Sequence, residues 1–164
     1  MACLPVPPPG LVEPAGANSG ANGIMTRVAC SEVLGDELGT TAVAFLERAR
    51  AWYAAQGIEI ESVMTDNGGA CRSRVWRAAL TAAGLRHLTT RPYTPRTNGK
   101  VERFIQTLLR EWAYVRPYAR SRRRTRALRP YLRFHNLERP HTALGYRPPL
   151  ARLASVNNIL VNNS

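Results

Sequence analysis

Two kinds of apolar periodicity alternate along residues 27–90, and this alternation constrains the fold more than any other feature of the chain. Strand-like runs cover residues 27–34, 58–64 and 85–90, and helical runs capped by Thr40 and Ser73 lie between them. Strands joined by crossover helices pair in parallel. The sequence therefore predicts an α/β fold. The residues predicted to face inward from the two helices are Ala42, Phe45, Leu46, Ala49, Trp52, Tyr53, Trp76, Ala79, Leu80 and Ala83.

Two further helices are predicted in the C-terminal half. The first begins after Gly99, and the second follows a run of arginines after Pro117, with Pro130 expected to bend or split it. By contrast, residues 1–25 hold five prolines and four glycines, so we expect a disordered lead with no paired strand. The predicted domains are a lead at 1–25, a core at 26–150 and a tail at 151–164. The apolar stripe of the first of these helices consists of Val101, Phe104, Ile105, Leu108 and Trp112.

The net charge of +12 is concentrated in one part of the chain. Residues 91–152 hold 16 of the 23 basic residues and three acids, whereas residues 1–90 hold seven basic and eight acidic residues. Such a segment favours a polyanion as partner, because neutralised phosphates release their counterions. The alternative is a solvated arginine-rich surface, since Lys100 is the only lysine beside 22 arginines.

Asp66 and Glu102 are the candidate metal ligands. Asp66 opens a turn after the second predicted strand, and Glu102 lies at the edge of the apolar stripe of the third helix. The 35 residues between them suffice for a helix, a strand and a loop, so both carboxylates can return to the same end of a parallel sheet. Two carboxylates suit Mg²⁺. The alternative for Glu102 is an acid that only favours the helix dipole.

Three stretches together resemble one family. The runs Met64 to Gly68 and Arg91 to Phe104 are similar to the second and third acidic motifs of bacterial insertion-sequence transposases with a retroviral-integrase-type core. The resemblance covers about residues 26 to 161. The residues similar to that family's C-terminal motif are Asn136, Arg139, Pro140, His141, Leu144, Gly145, Arg147, Pro148 and Pro149.

The resemblance implies a ribonuclease-H-like fold and an enzyme that cuts and joins DNA. Members use two Asp and one Glu to hold two metal ions, Mg²⁺ or Mn²⁺. Asp66 corresponds to the second acid and Glu102 to the third, so both are the implied catalytic and metal-binding residues. The implied DNA-binding residues are Arg91, Arg96, Asn98, Lys100, Arg103, Arg122, Arg123 and Arg124.

The sequence departs from the family at the first acid. That aspartate stands on an early strand in the family, and here the first aspartate of the chain is Asp36, preceded within the matched region by Glu32. The resemblance therefore implies an incomplete ribonuclease-H-like integrase core whose mixed sheet lacks its first two strands, followed by C-terminal helices. Those strands lie between the strands at 27–34 and 58–64 in the family, so both should lose a partner.

We therefore expect a truncated, inactive transposase remnant that still binds DNA and holds metal poorly. The alternatives are a non-enzymatic basic DNA-binding protein, or an inhibitor of an intact transposase that binds the intact subunit or a second copy of itself. An RNA-binding module is a weaker alternative, because the sequence contains no recognisable aromatic platform motif. The sequence has three cysteines but no Cys-x-x-Cys pair, and it contains no secretory signal and no membrane-spanning run. We therefore expect a protein of the bacterial cytoplasm without a membrane partner.

Overall fold

The computed structural model describes residues 10–12, 27–65, 68–89 and 103–152. Backbone contacts divide the chain into two compact units. Unit 1 comprises residues 1–23 and 30–106, and unit 2 comprises residues 24–29 and 107–164. In the described parts, no helix is both long and apolar enough to cross a bilayer.

From residue 27 onward, the secondary structure follows the predicted order of strands and helices, with one additional short helix at Gly69–Arg72. The strands are β1 (Gly10–Val12), β2 (Cys30–Glu32), β3 (Ser62–Thr65) and β4 (Arg86–Thr89). The helices are α1 (Gly39–Ala54), α2 (Gly69–Arg72), α3 (Arg74–Ala82), α4 (103–108, continued by a π turn at Leu109–Ala113) and α5 (Ser121–Leu137). A 3-10 turn at Thr142–Leu144 follows α5, and residues 149–152 are helical.

In unit 1, β3 and β4 pair in parallel, as the helix between them requires. Ser62 lies opposite Arg86, and Thr65 lies opposite Thr89. Because the two strands run in the same direction, their C-terminal ends meet at one edge. The predicted parallel pairing of these two segments is confirmed.

The first strand corrects the expectation that residues 1–25 contain no paired strand. Gly10–Val12 pairs antiparallel with Cys30–Glu32, so a paired strand does form inside the stretch expected to be a disordered lead. The prolines lie outside these three residues, at Pro9 and Pro14, so each strand residue keeps its N–H. As a result one edge of β2 is paired with β1, and the described strands form two separate pairs, β1–β2 and β3–β4.

Helices α1 and α3 carry the apolar side of unit 1. Ser73 caps α3 as predicted, because its Oγ accepts a hydrogen bond of 3.1 Å from the N–H of Trp76. The N-cap predicted at Thr40 is wrong, since α1 begins at Gly39 after Leu38, which offers no side-chain cap. The buried side chains of these helices are Phe45, Leu46, Ala49, Tyr53, Trp76 and Leu80, all among those predicted to face inward.

In unit 2, the arginine run lies within α5 instead of before it. Helix α5 is also not split at Pro130, which lies inside it and removes only one backbone N–H. Leu108 and Trp112 are buried as the stripe predicted, and the indole N–H of Trp112 donates to the carbonyl of Arg124 at 2.8 Å. This bond joins the π turn to the first turns of α5.

The C-terminal end of α5 holds the short segment 27–29. The Asn136 amide oxygen accepts from the N–H of Ala29 at 2.9 Å, and its amide nitrogen donates to the carbonyl of Ala29 at 2.8 Å. Next to it, His135 Nε2 lies 3.3 Å from the carbonyl of Arg27. Since a carbonyl only accepts, Nε2 carries the proton. Asn136 of the C-terminal motif and the neighbouring His135 thus bond backbone about 107 positions away.

A second contact in unit 2 centres on Glu111. Its Oε1 is paired with the Arg139 guanidinium at 2.6 Å, and its Oε2 accepts from the Tyr131 hydroxyl at 3.3 Å. Burial, reinforced by the Glu111 charge, raises the pKa of Tyr131 to about 12. Arg139 of the C-terminal motif therefore ties the end of α5 to the π turn.

Unit 2 should lose stability as the pH falls, because burial lowers the pKa of His135 to about 4 from 6.5. The unfolded chain takes up this proton near 6.5, so between about pH 6.5 and 4 protons favour the unfolded state. The expected loss is about 3 kcal/mol, complete below about pH 4.

The measurement is urea unfolding between about pH 7 and pH 4, for the native chain and for His135→Gln. Glutamine keeps an N–H donor for Arg27 but does not titrate. The variant should show a shallower pH dependence, by about 3 kcal/mol over this range. Identical pH dependence in both proteins would contradict this role of His135.

Candidate nucleic-acid interface

Both predicted metal ligands, Asp66 and Glu102, lie outside the described residues. The described strand β3 ends at Thr65, immediately before Asp66. There the Thr65 hydroxyl lies 2.9 Å from His87 Nε2 on β4, and burial lowers the pKa of His87. His87 was assigned no site role from the sequence. In the structure it is a residue of β4 whose ring is hydrogen-bonded across the parallel pair to Thr65.

A divalent ion would need several oxygen or nitrogen donors close together. Across residues 10–12, 27–65, 68–89 and 103–152, no three His, Cys, Asp or Glu side chains come together as a metal site. The described residues therefore supply no donor set of their own for Mg²⁺ or Mn²⁺.

Glu32 and Asp36 are the two acids that could stand in for the first aspartate of the family's motif. Both carboxylates are bonded to other groups of the protein. The Glu32 carboxylate pairs with the Arg48 guanidinium, at 2.7 Å to one nitrogen and 3.2 Å to another. Asp36 lies in the turn before α1 and accepts the N–H of Leu38 at 3.0 Å. Hydrogen bonds from Thr41 and from that N–H lower the pKa of Asp36. Each carboxylate thus has a local structural partner.

Four of the eight predicted DNA-binding residues lie within the described residues, and four lie outside them. Arg91, Arg96, Asn98 and Lys100 lie outside the described residues. Arg103 is exposed on α4, and Arg122 and Arg123 are exposed on the first turn of α5. Arg124 is half-buried, with its carbonyl bonded to Trp112. The three neighbouring arginines of α5 therefore point to different sides of the helix.

A different set of arginines forms one surface on α5. Counted at about 100° per residue, they fall within an arc of roughly 60°, opposite buried Leu128 and His135. The third buried residue of the helix, Asn136, lies at its C-terminal end, about 20° beyond the Arg129 edge of this arc. The sequence analysis overlooked this set, although its spacing of four, three and four residues is visible in the sequence. The set consists of Arg122, Arg126, Arg129 and Arg133, all of which are exposed.

Comparison with known proteins finds similarities in the C-terminal half of the chain. Residues 83–149 match the profile described as Integrase core domain. The transposase InsD for insertion element IS2D of Escherichia coli (strain K12) is 31% identical over 86 residues. This segment of the chain is similar to integrase cores. It is similar at the same identity to transposase InsD for insertion element IS2A/D/F/H/I/K of Escherichia coli, and in both pairs the match covers 52% of this chain.

These relatives extend well beyond the matched segment. The match spans 29% of the length of each of them. The family resemblance drawn from the acidic and C-terminal motifs is confirmed at this level. The segment includes Asn136 and Arg139 of unit 2, whose side chains bond Ala29 and Glu111.

Two solved structures confirm the fold. The catalytic core domain of BIV integrase superposes with a TM-score of 0.60 at 19% identity, covering 82% of this chain and 84% of that one. A chain of the simian T-cell lymphotropic virus intasome, in complex with the PP2A regulatory subunit B56 gamma, superposes with a TM-score of 0.56 at 27% identity. That superposition covers 74% of this chain and 41% of the viral chain. The prediction of a partial, integrase-like α/β core is therefore confirmed.

Proposed function

We propose that this chain is an integrase-core remnant of an insertion-sequence transposase that binds DNA without cutting it, in the bacterial cytoplasm. The observation that carries the proposal is the distribution of charge. Residues 91–152 hold 16 basic residues and three acids. Such a surface binds the phosphate backbone irrespective of sequence, because binding releases condensed counterions. The similarity to InsD transposases supports DNA, in preference to another polyanion, as the partner.

The proposed lack of cleavage rests on the acids. In this family's chemistry two metal ions activate the attacking oxygen and stabilise the leaving one, and a third carboxylate is needed to hold them. No aspartate precedes Asp36, and both Asp36 and Glu32 have structural partners. Asp66 and Glu102 alone would hold Mg²⁺ or Mn²⁺ weakly, and the surrounding arginines repel such ions.

The proposal predicts DNA binding with a steep dependence on salt. If about five arginines contact phosphates, log affinity against log salt should have a slope near −4 to −5 on duplex DNA. Affinity should then fall about 500-fold between about 50 and 200 mM salt. The measurement is fluorescence anisotropy of a labelled duplex, repeated with a second duplex of scrambled sequence. We expect similar affinities for both duplexes, and binding that did not change with salt would contradict the proposal.

A further inference from the structure

The four exposed arginines of α5, here called the α5 arginine stripe, are Arg122, Arg126, Arg129 and Arg133. Their spacing places them on one side of the helix for three turns. The first and last are eleven residues apart, which is about 16 Å along the axis. Measured along the axis of a duplex, this length spans roughly five phosphates of one strand, at about 3.4 Å of axis for each.

The stripe is not neutralised within the described chain. Helix α5 contains no acidic residue between Ser121 and Leu137. Among the described residues, the ion pairs that form involve other arginines, namely Arg48, Arg86, Arg110 and Arg139. A row of four guanidinium groups with no ion pair among the described residues produces a positive potential that an anionic partner can neutralise.

The chemistry of the stripe favours phosphate over bases. Guanidinium groups match phosphate oxygens in pairs, and the aromatic residues of α5, Tyr131 and Phe134, lie off the stripe. Base recognition in a single strand would need such rings interleaved with the charges. A straight row of charges on a rigid helix also matches a regular row of phosphates better than it matches a flexible acidic peptide.

From this arrangement we propose that the α5 arginine stripe binds the phosphate backbone of one DNA strand and supplies most of the chain's affinity for DNA. This inference rests on the proposed function, since it specifies the surface through which DNA is bound. In this proposal the main DNA contacts of α5 are Arg122, Arg126, Arg129 and Arg133. Arg123 and Arg124, which the sequence analysis had included, are not among them.

The test compares two variants of the full chain that lose the same charge. The stripe variant carries Arg122→Gln, Arg126→Gln, Arg129→Gln and Arg133→Gln, and glutamine keeps a good helix propensity. The matched control removes four exposed arginines from separate segments, namely Arg50→Gln, Arg77→Gln, Arg86→Gln and Arg116→Gln. Circular dichroism checks that each variant retains its helices. Two half-stripe pairs, Arg122/Arg126 and Arg129/Arg133, provide milder changes if the full variant does not fold.

The expected result is a salt slope that falls in magnitude by about 3.6 in the stripe variant, which is about 0.9 per lost phosphate contact. Affinity at about 100 mM salt should fall by at least about 100-fold. Each half-stripe variant should lose about 1.8 from the slope. The control should keep most of the native slope. A variant with lysine at all four positions should keep most of the slope as well, because lysine retains the charge.

Other outcomes would overturn the inference. Equal losses in the stripe variant and the control would show that only net charge matters. A steep native slope that the stripe variant retains would overturn the stripe while leaving the proposed function intact. A native chain that does not bind DNA would overturn both. Polyglutamate binding as tightly as DNA at the same salt and total charge would assign the stripe to an acidic protein.

Discussion

Asn136→Leu is expected to cost unit 2 about 4 kcal/mol of unfolding free energy, the largest effect of any single substitution considered. The Asn136 amide satisfies both the N–H and the carbonyl of Ala29, and both partners are buried. Leucine fills similar space but leaves two backbone groups without a hydrogen bond. Each such group costs about 1–3 kcal/mol when buried.

Urea unfolding followed by circular dichroism measures the change. The matched control is Arg123→Leu, which places leucine at an exposed position of the same helix and should change stability by less than about 0.5 kcal/mol. Asn136→Asp should also be strongly destabilising, because a carboxylate oxygen would face the carbonyl of Ala29 in place of the amide donor. An Asn136→Leu variant as stable as the native chain would contradict the structural role given to this residue.

Local periodicity was sufficient to predict the parallel pair and its helices. The buried positions Phe45, Leu46 and Tyr53 recur at helical spacing, and Ser73 precedes its helix as a cap. Such patterns are visible because each depends on residues within one or two turns. The same reasoning identified Leu108 and Trp112 as core residues.

Other features depend on residues far apart in the chain. The strand Gly10–Val12 is three residues long and stands among prolines, so only its pairing with β2 defines it. Asn136 resembles a polar helix-end residue until Ala29 is placed beside it. Pro130 lies within an unbroken helix because packing outweighs the loss of one hydrogen bond.

The candidate site was predictable only in part. Asp66 and Glu102 were predicted from their positions after a strand and on a helix and from the family resemblance, and they lie outside the described residues. The α5 arginine stripe has helical spacing in the sequence, but grouping arginines by adjacency hid it. Once α5 is known to begin at Ser121, the same arginines separate into exposed and half-buried positions.

The second large effect concerns catalysis, because the chain should show no metal-dependent DNA cleavage at all. The family's chemistry depends on three carboxylates, and a substituted ligand must sit within about 0.5 Å of the productive position. Glu32 is paired with Arg48, and Asp36 is bonded in the turn before α1. Recruiting either one would require breaking contacts that the fold already uses.

The most direct test of the claim that this chain binds DNA without cutting it is the nicking of supercoiled plasmid. The assay is run in Mg²⁺ and in Mn²⁺, on protein that demonstrably binds the same DNA. The matched variant carries Asp66→Asn and Glu102→Gln. The account predicts full binding and the same background level of nicking for both proteins. Metal-dependent nicking by the native chain that disappears in the double variant would contradict it, and would make the chain a working nuclease with a third acid.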